Sequence, residues 1–171
     1  MKIVTIPNPI LRQKSLPVSN FDDQLLDLVK TLKRLLEQQN DPPGFGLSAP
    51  QIGVLSRIFV GLIGKNYKAF VNPEILKFSK DQVKMLEGCL SIPEFYGHVI
   101  RPTKVKVSAY SEFGKKFTRN YSGISARVIQ HELDHLNGVL FIDHVHTQGG
   151  KLFKVIKDKA GKEQLAEVTL A

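Results

Sequence analysis

Apolar positions along this chain follow two different periods. Leu25, Leu26, Val29, Leu32 and Leu36 recur at helical spacing and predict an amphipathic helix. Asn20 stands where a cap is expected, Asp22 and Asp23 suit the positive end of the helix, and Asp41-Pro42-Pro43 cannot continue it. A second helical stripe comprises Ile124, Val128, Ile129 and Leu136, with Ser122 available as a cap and Asn137-Gly138 as a stop. Between the two, short apolar runs read as strands: Ile58 to Leu62, Ala69 to Val71, Val83 to Glu87, Val105 to Tyr110 and Lys115 to Tyr121. Gly64-Lys65-Asn66 and Asn72-Pro73 break these runs, and Glu112-Phe113-Gly114 predicts a hairpin. Val139 to Ile142 leads into a further strand that would put His144 and His146 on one face. The tail reads as two strands, 151–156 and 165–170, around a turn from Asp158 to Gly161. No strand–helix–strand alternation appears. The expected fold is therefore α+β, with mainly antiparallel sheets packed around the second helix and a strand-like tail, as one domain over residues 1–171.

With 171 residues, 42% hydrophobic and 23% charged, the chain has enough material for one real core. No apolar run is long enough for a membrane span, and residues 1–7 lack the zones of a signal peptide, so the cytoplasm is the expected location. The single cysteine, Cys89, excludes an internal disulfide. The net charge of +8 changes the picture more. Arg101, Lys104, Lys106, Lys115, Lys116 and Arg119 face only Glu112 within residues 101–120, a balance that would favour polyanions such as RNA.

The second helix also carries the candidate chemistry. His131-Glu132-Leu133-Asp134-His135 is an H-E-x-x-H sequence, and histidines four apart on a helix lie on one face, where both can bind one metal ion. Glu132 adjoins a ligand without being one, which suits a general base in metal-assisted hydrolysis. Such a pair needs a third protein ligand. The pattern H-E-x-x-H-x-x-G-x-x-H continues through Gly138 and then meets Phe141 in place of histidine. Glu163 and Glu167 are alternatives in the Lys-rich tail, but Cys89 is the better candidate, because Gly88 leaves the backbone beside it open and a metal would keep its sulfur as thiolate. Gly44-Phe45-Gly46 reads either as a turn-rich connector or as an exposed edge where an extended peptide docks.

Three ordered segments, Gly44-Phe45-Gly46-Leu47-Ser48-Ala49-Pro50-Gln51, Glu87-Gly88-Cys89-Leu90-Ser91 and Gln130 to Leu136, together resemble the peptide deformylase family. The one departure is Ser48, where alanine is usual, and little consequence is expected of it. The resemblance implies that Cys89, His131 and His135 hold one divalent metal ion, Fe2+ by analogy, with Zn2+, Ni2+ or Co2+ as substitutes. It implies Glu132 as the base, and Gln51 with the Leu90 backbone N–H as stabilisers of the oxyanion. Gly44, Phe45, Gly46 and Gly88 would meet an extended substrate, and Ile124 and Val128, with Phe45, would line a pocket for methionine. The substrates implied are N-formyl-methionyl nascent peptides, with ribosome contact through the basic surface. Two other classes stay open at this stage: a zincin-like metallopeptidase and a basic RNA-binding protein without enzymatic activity.

Overall fold

The amphipathic pattern near the N-terminus forms helix α1, Asp23–Glu37, which buries Leu25, Val29, Leu32, Leu35 and Leu36. Its cap is Asp22 rather than Asn20: the Asp22 carboxylate accepts the Leu25 backbone N–H at 3.1 Å. The structure is a computed structural model that describes residues 2–39, 44–157 and 161–168. The expected helix stop at Asp41-Pro42-Pro43, the turn residues 158–160, and Thr169-Leu170 lie outside the described residues.

Helix α1 covers one face of a five-stranded antiparallel sheet. Its strands are β1 (Gly46–Ser48), β2 (Ile58–Ile63), β3 (Asn66–Phe78), β6 (Lys104–Tyr110) and β7 (Lys116–Ser122), which are neighbours in that order. The H-E-x-x-H helix, α2 (Gly123–Leu136), covers the other face. Alternation along the strands divides the core accordingly. Ile58, Val60, Ala69 and Val71 pack with α1, whereas Phe59, Phe70, Val105 and Val107 pack with Ala126, Ile129 and Leu136 of α2. Burial on both faces explains the unbroken apolar run Ile58-Phe59-Val60 in β2. The break expected at Asn72-Pro73 is instead an irregularity inside β3, where Asn72 takes φ 49° and the register against β6 shifts. The Asn72 side chain is used there: its amide donates to the Val18 carbonyl, and its oxygen accepts the Val18 N–H, both at 2.8 Å.

A second antiparallel sheet holds β4 (Gln82–Cys89), β5 (Ile92–Pro102), β8 (Leu152–Lys157) and β9 (Glu163–Val168), in that order. β5 has no clear period in the sequence, because Pro93, Glu94, Gly97 and Pro102 interrupt any alternation, and its pairing to β4 supplies what the pattern lacks. The strand expected at 143–146 is part of helix α3, Phe141–Thr147. Phe141 and Val145, four apart, are its buried residues, a helical spacing hidden in a segment too short to display a period. As a result His144 and His146 point in different directions and do not share a face. The tail does form the expected strand pair, with β8 hydrogen-bonded to β5 and β9 to β8.

Candidate active site

Two elements deliver the candidate ligands. The β4–β5 hairpin turns at Leu90-Ser91, and Cys89, the last residue of β4, pairs across it with Ile92. α2 brings His131 and His135 one turn apart, their ring centroids separated by 5.1 Å. The ligand atoms of Cys89, His131 and His135 all lie within 4.8 Å of one another, and Cys89 Sγ is 3.2 Å from His135 Nε2. One sulfur and two imidazoles converging in this way suit a divalent transition metal and leave a fourth position open. The protonation tendency of His135 fits as well. Burial, followed by the charges of His131, Arg101 and Arg12, holds His135 well below the usual histidine range, so it is the neutral, ligating form. Its Nδ1 is buried and has no hydrogen-bond partner among the described residues.

His131 is oriented by Glu87, whose Oε2 lies 3.0 Å from His131 Nδ1. Burial would lower the pKa of His131, but its hydrogen bonds to Cys89 and Glu87 outweigh that and hold it well above the usual range. Glu87 is a hub. Its carboxylate accepts Arg101 Nε at 2.7 Å, Arg101 Nη2 at 3.0 Å and Arg127 Nη1 at 2.5 Å. Burial alone would raise its pKa, yet the bonds from His131 and Arg101 and their charges hold it well below the ordinary carboxylate range. Arg101 also donates to Asp134 at 2.7 Å, and Asp134 lies 2.8 Å from His144 Nε2. Arg101 is therefore buried and paired, not part of the basic surface its sequence neighbours suggested. None of Glu87, Asp134 or Arg127 stood out in the sequence, because a salt-bridge hub is spread over four elements and has no local spacing. Glu87 did have one signal, its place within the Glu87-Gly88-Cys89 segment.

Glu132 faces away from this hub, toward β1. Only 3% of it is exposed, and burial, against the opposing influence of His131 and Ser48, raises its pKa to about 7. A Cβ added to Gly46 would lie 2.7 Å from Glu132 Cδ and Cγ, so the first segment needs glycine there to let the carboxylate in. Gly88 is tight for another reason, since a Cβ on it would lie 2.7 Å from the Tyr96 ring. Ser48, of which little was expected, bears directly on the site: Oγ is 2.8 Å from Glu132 Oε2 and 2.9 Å from Gln51 Oε1. Gln51 Oε1 also accepts the Ser48 backbone N–H at 2.8 Å. That anchor turns Gln51 Nε2 toward the sulfur of Cys89, 3.5 Å away, and Ser91 Oγ, 3.2 Å away.

The remaining expected residues fall around this centre. Leu90 forms the hairpin turn beside Cys89, and a Cβ on Gly44 would approach Leu90 Cδ1 at 3.4 Å. Ile124 and Val128 precede His131 and His135 on one stripe of α2, with Ile124 exposed and Val128 buried; Phe45 is exposed just before β1. Both β1 and β4 are terminal strands of their sheets among the described strands, so Gly46 to Ser48 and Glu87 to Cys89 lie on sheet edges. The alternative ligands are elsewhere. Glu163 and Glu167 lie on β9, with Glu167 paired to Lys151 at 2.7 Å, and Phe141 is buried and stacks on His131 with centroids 6.3 Å apart.

The model of the polypeptide deformylase family matches residues 1–151. A peptide deformylase of Brucella suis is 43% identical over 148 residues, covering 84% of this chain and 83% of the relative. One of a Thermotoga species is 40% identical over 144 residues, covering 84% and 86%. Among solved structures, the Thermotoga maritima peptide deformylase superposes with a TM-score of 0.77 at 40% identity, covering 84% of this chain and 95% of that one. A Plasmodium falciparum peptide deformylase, in complex with an inhibitor, superposes with a TM-score of 0.76 at 43% identity, covering 84% and 88%. Nothing in these likenesses supports the zincin alternative. With the three segments gathered at one centre and relatives alike over most of their own length, the chain belongs to the polypeptide deformylase family.

Proposed function

We propose that this chain is a peptide deformylase, a metal-dependent amide hydrolase that removes the formyl group from the N-terminal formyl-methionine of newly made polypeptides and releases formate. The observation that carries the reading is the Cys89/His131/His135 cluster with Glu132 and Gln51 joined beside it through the Ser48 hydroxyl. These three residues would hold one divalent ion, natively Fe2+, with Zn2+, Ni2+ or Co2+ as substitutes. A cation there supplies Lewis-acid polarisation of a carbonyl and lowers the pKa of a water molecule. Glu132 takes the proton from the attacking water and returns it to the departing amine, a task suited to a carboxyl raised to about 7. Gln51 Nε2 and the Leu90 backbone N–H stabilise the oxyanion. Gly44, Gly46 and Gly88, along the free edges of β1 and β4, receive the extended peptide, and Ile124, Val128 and Phe45 receive the methionine side chain.

Residues 1–171 act as a single catalytic domain in the cytoplasm, meeting N-formyl-methionyl nascent peptides at the ribosome. No described helix is long and apolar enough to cross a membrane. The test is formate release from formyl-Met-Ala-Ser by freshly purified, anaerobically handled protein, with the same incubation followed by mass spectrometry. Glu132→Gln should keep its metal yet lose about 10²–10⁴-fold in kcat. Backbone cleavage without formate would overturn the reading in favour of an endopeptidase.

A further inference from the structure

We infer that the hydroxyl of Ser48 is a positioning group for Glu132, fixing the carboxylate that acts as base; the inference rests on the function proposed above. Ser48 is fully buried, so water does not compete for its hydrogen bonds. Its hydroxyl has one proton to give and two acceptors in reach, Glu132 Oε2 at 2.8 Å and Gln51 Oε1 at 2.9 Å. Gln51 Oε1 already receives the Ser48 backbone N–H, whereas Ser48 is the sole protein hydrogen-bond partner of the Glu132 carboxyl among the described residues. A bond to an ionised carboxylate is also the stronger of the two. The proton therefore belongs to Glu132.

The carboxylate is then held from two sides. Ser48 ties Oε2, and the space left by the missing side chain of Gly46 receives the rest of the group. Oε1 has no hydrogen bond to a described residue and is the oxygen left to take a proton. Because the same residue anchors Gln51 through its backbone N–H, the base and the oxyanion-stabilising amide are registered to one residue of β1. Alanine at position 48 would keep the Gln51 anchor and lose only the hold on Glu132, so the two roles can be separated.

A double-mutant cycle tests this with wild type, Ser48→Ala, Glu132→Gln and the double variant, each measured for kcat, KM, metal per chain and melting temperature. Ser48→Ala should lower kcat about ten-fold, the worth of one hydrogen bond to a charged group, with KM and metal content unchanged. In the Glu132→Gln background the same change should have no further effect on kcat. Unchanged kcat in Ser48→Ala, or an equal loss in both backgrounds, would overturn the inference. Full turnover by Glu132→Gln is a separately visible result that would overturn the general-base reading and this inference with it.

Discussion

Glu87 and Cys89 are two residues apart in sequence and are proposed to act on the centre in different ways, one through orientation and one through ligation. Glu87→Gln removes the charge that Arg101 and Arg127 share while leaving both guanidiniums in place. Breaking a buried pair from one side costs about 3–5 kcal/mol. Metal affinity should also fall, by about 10–100-fold, because His131 loses the partner that sets its ring. Chemical denaturation and metal titration of the variant check the two effects separately. Cys89→Ser should lower metal occupancy sharply, since a hydroxyl is a poor ligand for a borderline-soft cation. One full equivalent of metal in that variant would rule the assignment out. At this scale the sequence displays what has local spacing: His131, Glu132 and His135 follow helical geometry, and Cys89 follows from the glycine beside it. Ser48, Arg101 and Arg127 were hidden because their partners are 84, 14 and 40 residues away in the chain.

Elements long enough to show a period were legible, namely α1, α2 and the strands β2, β4, β6, β7 and β8. Those defined by their partners were not: β5 follows from β4, and α3 is only seven residues long. α3 nevertheless has a specific start. Asp143 Oδ2 accepts the Leu140 backbone N–H at 2.8 Å and pairs with Arg12, joining the helix to the N-terminal segment. Burial would raise the pKa of Asp143, but the Arg12 bond and the Leu140 N–H outweigh it and hold it below the ordinary aspartate range. The sign follows from that depression: the contribution is complete above a pH of about 3.9 and is lost as pH falls through the lower folded value. Asp143→Asn should cost about 1 kcal/mol at neutral pH, and thermal melts should show the gap from wild type closing in acid. The β8–β9 pair carries a different expectation. It extends the second sheet beyond β5 and contributes no ligand, while Leu152 packs with Leu11 and Val145. Ending the chain after Gly150 should leave metal binding and formate release intact while lowering stability by about 1.5–3 kcal/mol or more, starting with the loss of Leu152 burial. Loss of metal from a fully folded truncated protein would contradict this.

For the whole molecule the open question is where the charge of +8 is carried. With Arg101 inside the Glu87 hub, the exposed cations of this region lie on β3, β6 and β7 and the turn between the last two. Lys104, Lys106 and Lys116 occupy the face of β6–β7 opposite the buried Val105, Val107 and Ala109. Lys106 is also directly across from Lys77 of β3. Two like charges opposite each other on neighbouring strands destabilise a sheet, so the stripe costs the fold something. This is the face proposed to meet the ribosome. Changing Lys77, Lys104 and Lys106 together to Glu should alter nothing at the metal centre, because none of them bonds to its residues. Formate release from a short formyl-Met peptide should therefore be unchanged. Co-sedimentation with ribosomes should weaken, and its dependence on salt should become shallower, by about one in the logarithmic slope for each phosphate that no longer meets a lysine. Wild-type association that ignores salt, or that survives the triple change intact, would remove this face from the encounter.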